Sequence, residues 1–133
     1  MLTIYPQKAD VTAEGILLTS EFEVEGKKQS LWYLFPKEYK NDLVTEQLDA
    51  FVVGLLFLAL KTGNDIYVKG SLSARLHYTI NYYLIPAICL GNPSFKRINV
   101  KAENLSHENL NFKRLSATGL SCGVDSFATY VDH

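Results

Sequence analysis

The alternation of apolar and polar residues in the first third of the chain predicts a β-hairpin. Residues 15–24 end in strict alternation of apolar and polar residues. Residues 30–35 form a second, aromatic-rich run that ends before Pro36. Between them, residues 25–28 supply a turn that contains Gly26. Two such runs across a short glycine-containing loop are typical of a hairpin.

From residue 45 the apolar positions change to helical spacing. Thr45 offers an N-cap with an acidic residue in the first turn. Apolar residues in the middle of this helix occupy its whole circumference, so we expect burial on more than one side. Gly63 is predicted as a left-handed C-cap. The helical positions are Leu48, Phe51, Val52, Leu55, Leu56 and Ala59.

A second helix follows a short strand at residues 65–69. Ser71 or Ser73 is its predicted N-cap, and Pro86 should kink or interrupt it because proline removes a backbone donor. Its apolar stripe consists of Leu76, Ile80, Leu84 and Ile88.

The remaining pattern predicts a strand at residues 95–102, a polar loop at 103–111, a strand at 114–120 and the start of a third helix. Strands that alternate with helices favour an α/β fold. We therefore predict an N-terminal β-hairpin followed by alternating helices and strands.

Composition indicates a folded domain and excludes several classes of protein. The chain has 133 residues, of which 47% are hydrophobic, and a formal net charge of -1. This is typical of a globular protein rather than of a disordered chain. The sequence has no clustered basic excess, so we expect no nucleic-acid partner for this chain.

Cysteine usage and the apolar runs predict a cytoplasmic protein with no membrane partner. Cys89 and Cys122 are too few and too isolated for a disulfide framework. The N-terminus lacks the basic start and apolar run of a signal peptide. The longest apolar run, residues 50–60, is much shorter than the ~20 residues that a membrane helix requires.

Candidate chemistry lies at the junction between the strand at 114–120 and the helix that follows it. Ser121-x-Gly123-x-Asp125-Ser126 places two hydroxyls, a glycine and a carboxylate there. Unpaired amides and the dipole at a helix start favour an anion. Gly123 allows a close backbone approach, the two serines can donate to phosphate oxygens, and Asp125 can hold Mg²⁺.

This segment resembles the SGGxDS loop of the PP-loop (N-type) ATP pyrophosphatases. That superfamily contains GMP synthetase, NAD synthetase, asparagine synthetase, tRNA-thiolating enzymes and 7-cyano-7-deazaguanine synthase. Four positions match its pattern, and Cys122 stands where the family usually has its first glycine. The resemblance implies that ATP and Mg²⁺ are cofactors and that Asp125 binds the metal. The implied cofactor-binding residues are Ser121, Cys122, Gly123, Val124, Asp125 and Ser126.

The resemblance also implies an adenylate-forming reaction, and it assigns no catalytic residue in this chain. An oxygen of a small-molecule acceptor, from a carbonyl or a carboxylate, would attack the α-phosphorus of ATP and expel pyrophosphate. A nitrogen or sulfur nucleophile would then displace AMP. The implied organisation is an N-terminal α/β domain at residues 1–112 and the start of an ATP-binding domain at 113–133.

Because such a domain needs further strands, we expect this chain to be an N-terminal fragment with little ATP turnover of its own. Its bare apolar edge should favour self-association into a homo-oligomer.

Two alternatives remain open at this point. The motif could be an ordinary turn followed by a helix N-cap, in which case the chain is a non-catalytic α+β binding or assembly module. Cys122 could suggest a nucleophile, but no histidine stands in a related context. The aromatic residues Tyr78, Tyr82 and Tyr83, near Arg75 and His77, could line a groove. We expect them instead to be half-buried packing residues, and Trp32 and Tyr33 to anchor the hairpin.

Overall fold

A mixed β-sheet forms the centre of the computed structural model, which describes residues 1–108. Six strands lie in this part of the chain. They are β1 (Leu2–Ile4), β2 (Lys8–Val11), β3 (Ile16–Val24), β4 (Lys27–Phe35), β5 (Ile66–Ser73) and β6 (Val100–Ser106).

The helices lie between β4 and β6 in sequence. Three are α-helices, a π segment joins the second and third into one helical segment, and a short 3₁₀ turn precedes them all. Their bounds are 3₁₀ Lys37–Asp42, α1 Asp49–Thr62, α2 Ala74–Thr79, a π segment Ile80–Leu84 and α3 Ile85–Gly91. The alternation of strands and helices confirms the predicted α/β fold.

The predicted hairpin is confirmed as the pair β3 and β4. Val24 lies opposite Lys27, so Glu25 and Gly26 form a two-residue turn, with φ of 53° and 74° respectively. Positive φ at both central residues is the type I′ geometry, whose twist matches that of the flanking strands. The second strand begins at Lys27, three residues earlier than the pattern at Ser30 indicated.

The sheet is antiparallel on one side and parallel on the other. Strand β4 pairs along the whole of β3, and so β1 and β2 share the other edge of β3. β1 pairs with residues 22–24 and β2 with residues 16–19. The far edge of β1 pairs in parallel with β5, which pairs in parallel with β6. The resulting order is β4, β3, β1, β5, β6.

Helix α1 covers one face of this sheet, but it begins later than predicted. It starts at Asp49, with Leu48 as the N-cap, rather than at Thr45. The Leu48 N–H donates to the carbonyl of Ser71 at 2.9 Å, and the Asp49 carboxylate accepts the Ser73 N–H at 2.9 Å. These bonds hold the start of α1 at the end of β5, and Leu48 itself has non-helical φ and ψ of -94° and 20°.

The predicted C-cap of α1 is confirmed, whereas its predicted burial is wrong. Gly63 has a φ of 74° and donates its N–H to the Ala59 carbonyl. One face of the helix is buried, and Val53 and Phe57 on the opposite face are exposed. The buried residues are Phe51, Val52, Leu55, Leu56, Ala59 and Leu60.

Ser73 is the N-cap of α2, as one of the two predicted candidates, and its Oγ accepts the Leu76 N–H at 3.2 Å. The helix departs from α geometry before Pro86 but does not end there, because the chain stays helical through Pro86 as α3. The departure is the π segment, in which the Ile85 N–H bonds the Ile80 carbonyl five residues back. This wider turn shifts the buried face by one residue. Ile85 is therefore in the core, and the prediction that Leu84 belongs to the apolar stripe is wrong.

The predicted strand at residues 95–102 is displaced towards the C-terminus. β6 spans Val100–Ser106, so residues 103–106 are strand rather than loop. Before β6, the Lys96 N–H donates to the Leu60 carbonyl at 2.9 Å. This bond satisfies a carbonyl in the last turn of α1. The predicted strand at 114–120 and the predicted domain boundary after residue 112 lie outside the described residues.

The core lies between α1, the α2–α3 segment and one face of the sheet. Its strand residues include Leu2, Ile4, Phe22, Val68 and Val100, all nearly or completely buried. The part of the chain that the structure describes contains no helix long and apolar enough to cross a membrane.

The contact between β4 and α1 leaves no space at Gly54. The Tyr33 hydroxyl donates to the Ala50 carbonyl at 3.0 Å, and its ring lies 5.2 Å from that of Phe51. A Cβ built on Gly54 would collide with this hydroxyl and would approach Leu31 to 2.9 Å.

We predict that Gly54→Ala destabilises the fold, although alanine favours helices by about 1 kcal/mol. The collision should cost about 1–3 kcal/mol and outweigh that gain. Tyr33→Phe alone should cost about 1 kcal/mol, because it removes one hydrogen bond. In the Tyr33→Phe background the alanine should cost much less, as a double-mutant cycle of urea unfolding would measure. Strictly additive effects would contradict this account of the contact.

Candidate functional site: a basic cavity beside a tyrosine cluster

The predicted phosphate-binding loop lies outside the described residues. This applies to Ser121, Cys122, Gly123, Val124, Asp125 and Ser126, and to the assignment of Asp125 as a magnesium ligand. Within residues 1–108, no group of three or more His, Cys, Asp and Glu side chains is arranged to hold a metal ion.

Three exposed tyrosines form a cluster on the helical segment, which we call the tyrosine cluster. Tyr78, Tyr82 and Tyr83 are 52%, 66% and 60% exposed. The ring of Tyr78 lies 4.9 Å from that of Tyr82 and 5.6 Å from that of Tyr83. The hydroxyls of Tyr78 and Tyr83 are 3.3 Å apart. The expectation that these residues are half-buried packing residues is therefore wrong.

The π segment accounts for this cluster. In an α-helix, side chains three or four positions apart lie on one face, and one five positions away points elsewhere. The wider turn at Ile80–Leu84 brings Tyr83, five positions on, alongside Tyr82 and against Tyr78. Pro86, which cannot donate a hydrogen bond into the preceding turn, favours this arrangement.

A cavity of about 280 Å³ adjoins the tyrosine cluster. It lies between α2 and the first residues of β6, and Tyr82 belongs to both the cavity and the cluster. We call it the basic cavity. Its lining consists of His77, Asn81, Tyr82, Arg97, Asn99, Val100 and Lys101.

Asn81 joins the two walls of the basic cavity. Its Nδ2 donates to the carbonyls of Val100 and His77, each at 3.0 Å. Its Oδ1 accepts the Val100 N–H at 2.8 Å. The Ile66 N–H bonds the Asn99 carbonyl, so the N–H and C=O of Val100 point away from β5. The Asn81 amide therefore holds the helix against the outer edge of β6.

The cavity is electropositive because its lining has basic side chains and no carboxylate. His77, Arg97 and Lys101 line it. The Asp65 carboxylate is not part of this lining. It accepts the backbone N–H of Asn99 at 2.8 Å. Arg75, which the sequence placed near the tyrosines, is exposed and does not line the cavity.

A second surface feature is the sheet face opposite the helices, which we call the open face. There Leu17, Trp32 and Leu34 line a groove of about 570 Å³ with the loop at residues 12–14. Trp32 is 59% exposed, so the prediction that it anchors the hairpin is wrong. Tyr33, on the other face of β4, does pack against α1. The alternation along β4 was the signal that separates these two residues.

Charged side chains surround Tyr5 on the open face. The ammonium groups of Lys69 and Lys28 lie 4.8 Å and 5.7 Å from the centre of its ring. Its hydroxyl donates to a Glu23 carboxylate oxygen at 3.2 Å. Both signs of charge therefore occur beside the apolar groove.

No family model, curated protein or solved structure matches this chain.

The hydroxyl contact within the tyrosine cluster predicts an altered titration. The hydrogen bond to Tyr83, with partial burial and the nearby Tyr82, raises the pKa of Tyr78 above its usual value of 10.0. The folded state therefore holds the Tyr78 hydroxyl proton more tightly than the unfolded state does. The stability that this hydrogen bond contributes to the fold is present below pH 10.0 and is lost as the pH rises further.

We predict that Tyr83→Phe lowers the pKa of Tyr78 towards its usual value, because it removes the largest cause of the shift. Alkaline titration of ring-labelled tyrosine followed by NMR would measure this, with Tyr39→Phe as a control at a distant exposed tyrosine. An unchanged Tyr78 titration in Tyr83→Phe would contradict the importance of the hydroxyl contact.

Proposed function

We propose that this chain is part of an ATP-dependent adenylate-forming enzyme. The observation that carries the proposal is the pattern Ser121-x-Gly123-x-Asp125-Ser126, placed after an apolar segment and before a helix-like sequence. In this proposal residues 121–126 bind the β- and γ-phosphates of ATP, and Asp125 holds the magnesium ion that neutralises them. The acceptor is a small molecule with a carbonyl or carboxylate oxygen.

The proposal gives the described fold a positioning role. Residues 1–108 contain a hydrophobic core, built from strands on both sides of α1 in sequence. In this proposal, that part of the fold holds the nucleotide loop in place relative to an acceptor. Positioning of this kind provides much of the catalysis in phosphoryl and nucleotidyl transfer.

The same proposal places the protein in the cytoplasm, where ATP is abundant and thiols stay reduced. In the part of the chain that the structure describes, Cys89 is a free, partly buried thiol. This is compatible with a reducing compartment.

A second candidate function, assembly through the open face, is favoured by the exposure of Trp32 and Leu34. We propose a second copy of this chain as the occupant. Apolar residues flanked by side chains of both charges can complement themselves across a two-fold axis. On the open face Glu23 lies opposite Lys28 in the hairpin register, and Lys8 opposite Thr19.

For the enzymatic proposal, we predict that Asp125→Ala abolishes magnesium-dependent ATP binding and, in the full-length protein, lowers pyrophosphate release by about 100-fold or more. The physical reason is the loss of the carboxylate that holds the metal against the phosphates. Calorimetry with MgATP and an assay of released pyrophosphate would measure the two effects. Asp132→Ala, a carboxylate outside the motif, is the matched control and should behave as the wild type. Equal pyrophosphate release from the Asp125→Ala and wild-type proteins would refute the assignment.

For assembly, we predict that the wild-type protein self-associates and that Trp32→Arg makes it monomeric, because the change places a charge in the apolar contact. Sedimentation velocity over a range of concentrations would show this. Since the chain has one tryptophan, its fluorescence should also shift to shorter wavelength on association. Tyr39→Arg, at another exposed aromatic residue, should leave association unchanged. A monomeric wild-type protein with a solvated tryptophan at every concentration would exclude this interface.

A further inference from the structure

The basic cavity and the tyrosine cluster form one continuous surface with two chemical halves. Tyr82 is common to both, since it lines the cavity and stacks against Tyr78. On one side of it lie the cationic groups of Arg97 and Lys101 and the imidazole of His77. On the other lie the exposed rings of Tyr78 and Tyr83.

The polar half is suited to a phosphate. The guanidinium of Arg97 presents a planar fork of donors that matches phosphate oxygens, and Lys101 adds a point charge. Both N–H donors of the Asn81 amide bond protein carbonyls, and its oxygen accepts the Val100 N–H, so no donor is left for a phosphate. The amide therefore fixes the cavity's shape rather than contacting a ligand.

The size of the cavity limits what it can enclose. Its volume of about 280 Å³ is just below the ~300–1,000 Å³ of sites that bury a whole small-molecule ligand. A phosphate with an attached sugar fits this space, and the rest of such a ligand has to lie outside it. The surface directly outside is the tyrosine cluster.

The aromatic half is suited to a flat heterocycle. Exposed tyrosines that contact each other offer ring faces to water, and unpaired nucleobases stack on such faces. A groove with positive charge next to aromatic side chains is the combination that binds single-stranded nucleic acid and nucleotides.

We propose that the basic cavity and tyrosine cluster bind a nucleotide, with its phosphate between Arg97 and Lys101 and its base against Tyr82. All the residues of this site lie within residues 1–108, and the proposal does not depend on the function proposed for residues 121–126. It departs from the expectation, based on whole-chain charge, that no nucleic acid is a partner. A near-neutral net charge of the whole chain does not reveal a local basic patch that is assembled by the fold.

The nucleotide can be free or can be one unit of single-stranded RNA, and the choice of probe separates these sources. Uridine 5′-monophosphate and hexauridylate both lack adenine, so neither mimics ATP at the predicted loop. Binding should be measured by calorimetry with the whole chain carrying Asp125→Ala, and the wild type should give the same result. Much tighter binding of hexauridylate, with an affinity that falls steeply with salt, identifies RNA as the source. Similar affinities for the two probes identify a free nucleotide.

Two variants test the two halves of the site. We expect Arg97→Ala and Tyr82→Ala each to weaken binding of the better probe on the order of ten-fold. Lys37→Ala and Tyr39→Ala are matched controls at exposed residues of the 3₁₀ turn and should bind as the wild type does. Uridine and inorganic phosphate should each bind more weakly than the monophosphate, because each engages only one half.

Circular dichroism should show that the variants remain folded, since both side chains are exposed. The proposal is overturned if neither probe binds at millimolar concentration, or if Arg97→Ala and Tyr82→Ala bind as tightly as their controls.

Discussion

The packing of α1 against the parallel pair β1 and β5 is the constraint on which the rest of the structure depends. Parallel strands need a helix over them, and β1 has only three residues with which to hold its place. Leu2, Ile4 and Val68 are completely buried and share one core with Phe51 and Val52 of α1. Both ends of α1 are tied to the same strands. Its first turn bonds the end of β5 through Asp49, and Asn64, just beyond its last turn, accepts a hydrogen bond from the N-terminal amine.

This constraint explains which parts of the fold can be predicted from sequence. The hairpin turn at Glu25 and Gly26, the left-handed cap at Gly63 and the N-cap at Ser73 depend on neighbouring residues. Local patterns therefore identify them. Strand β1 cannot be recognised from its local sequence, because its pairing partner β5 is more than sixty positions away. In this pairing Leu2 lies opposite Ile66. The late start of α1 and the displaced β6 have similar causes, since both follow from hydrogen bonds to other elements.

The candidate sites divide in the same way. The phosphate-binding pattern at residues 121–126 is local and can be recognised without a structure. By contrast, His77 and Tyr82 meet Arg97 and Lys101 only because the helical segment crosses from β5 to β6 and returns beside it. The clustering of Tyr78 with Tyr83 also requires the π segment, and helical periodicity alone assigns Tyr83 to a different face. Pro86 was the available signal, although it indicates an interruption rather than its form.

The Asn81 amide at Val100 has a further consequence for the assembly of the sheet. Its two hydrogen bonds replace those that an adjacent strand would make at the start of β6, so this end is closed to other chains. Any strand that extends the sheet on this side must begin its ladder beyond Val100, at Ala102. Within residues 1–108, β6 is the last strand on this side of the sheet. One side chain therefore both blocks pairing at the first residue of β6 and fixes the register at which a further strand can join.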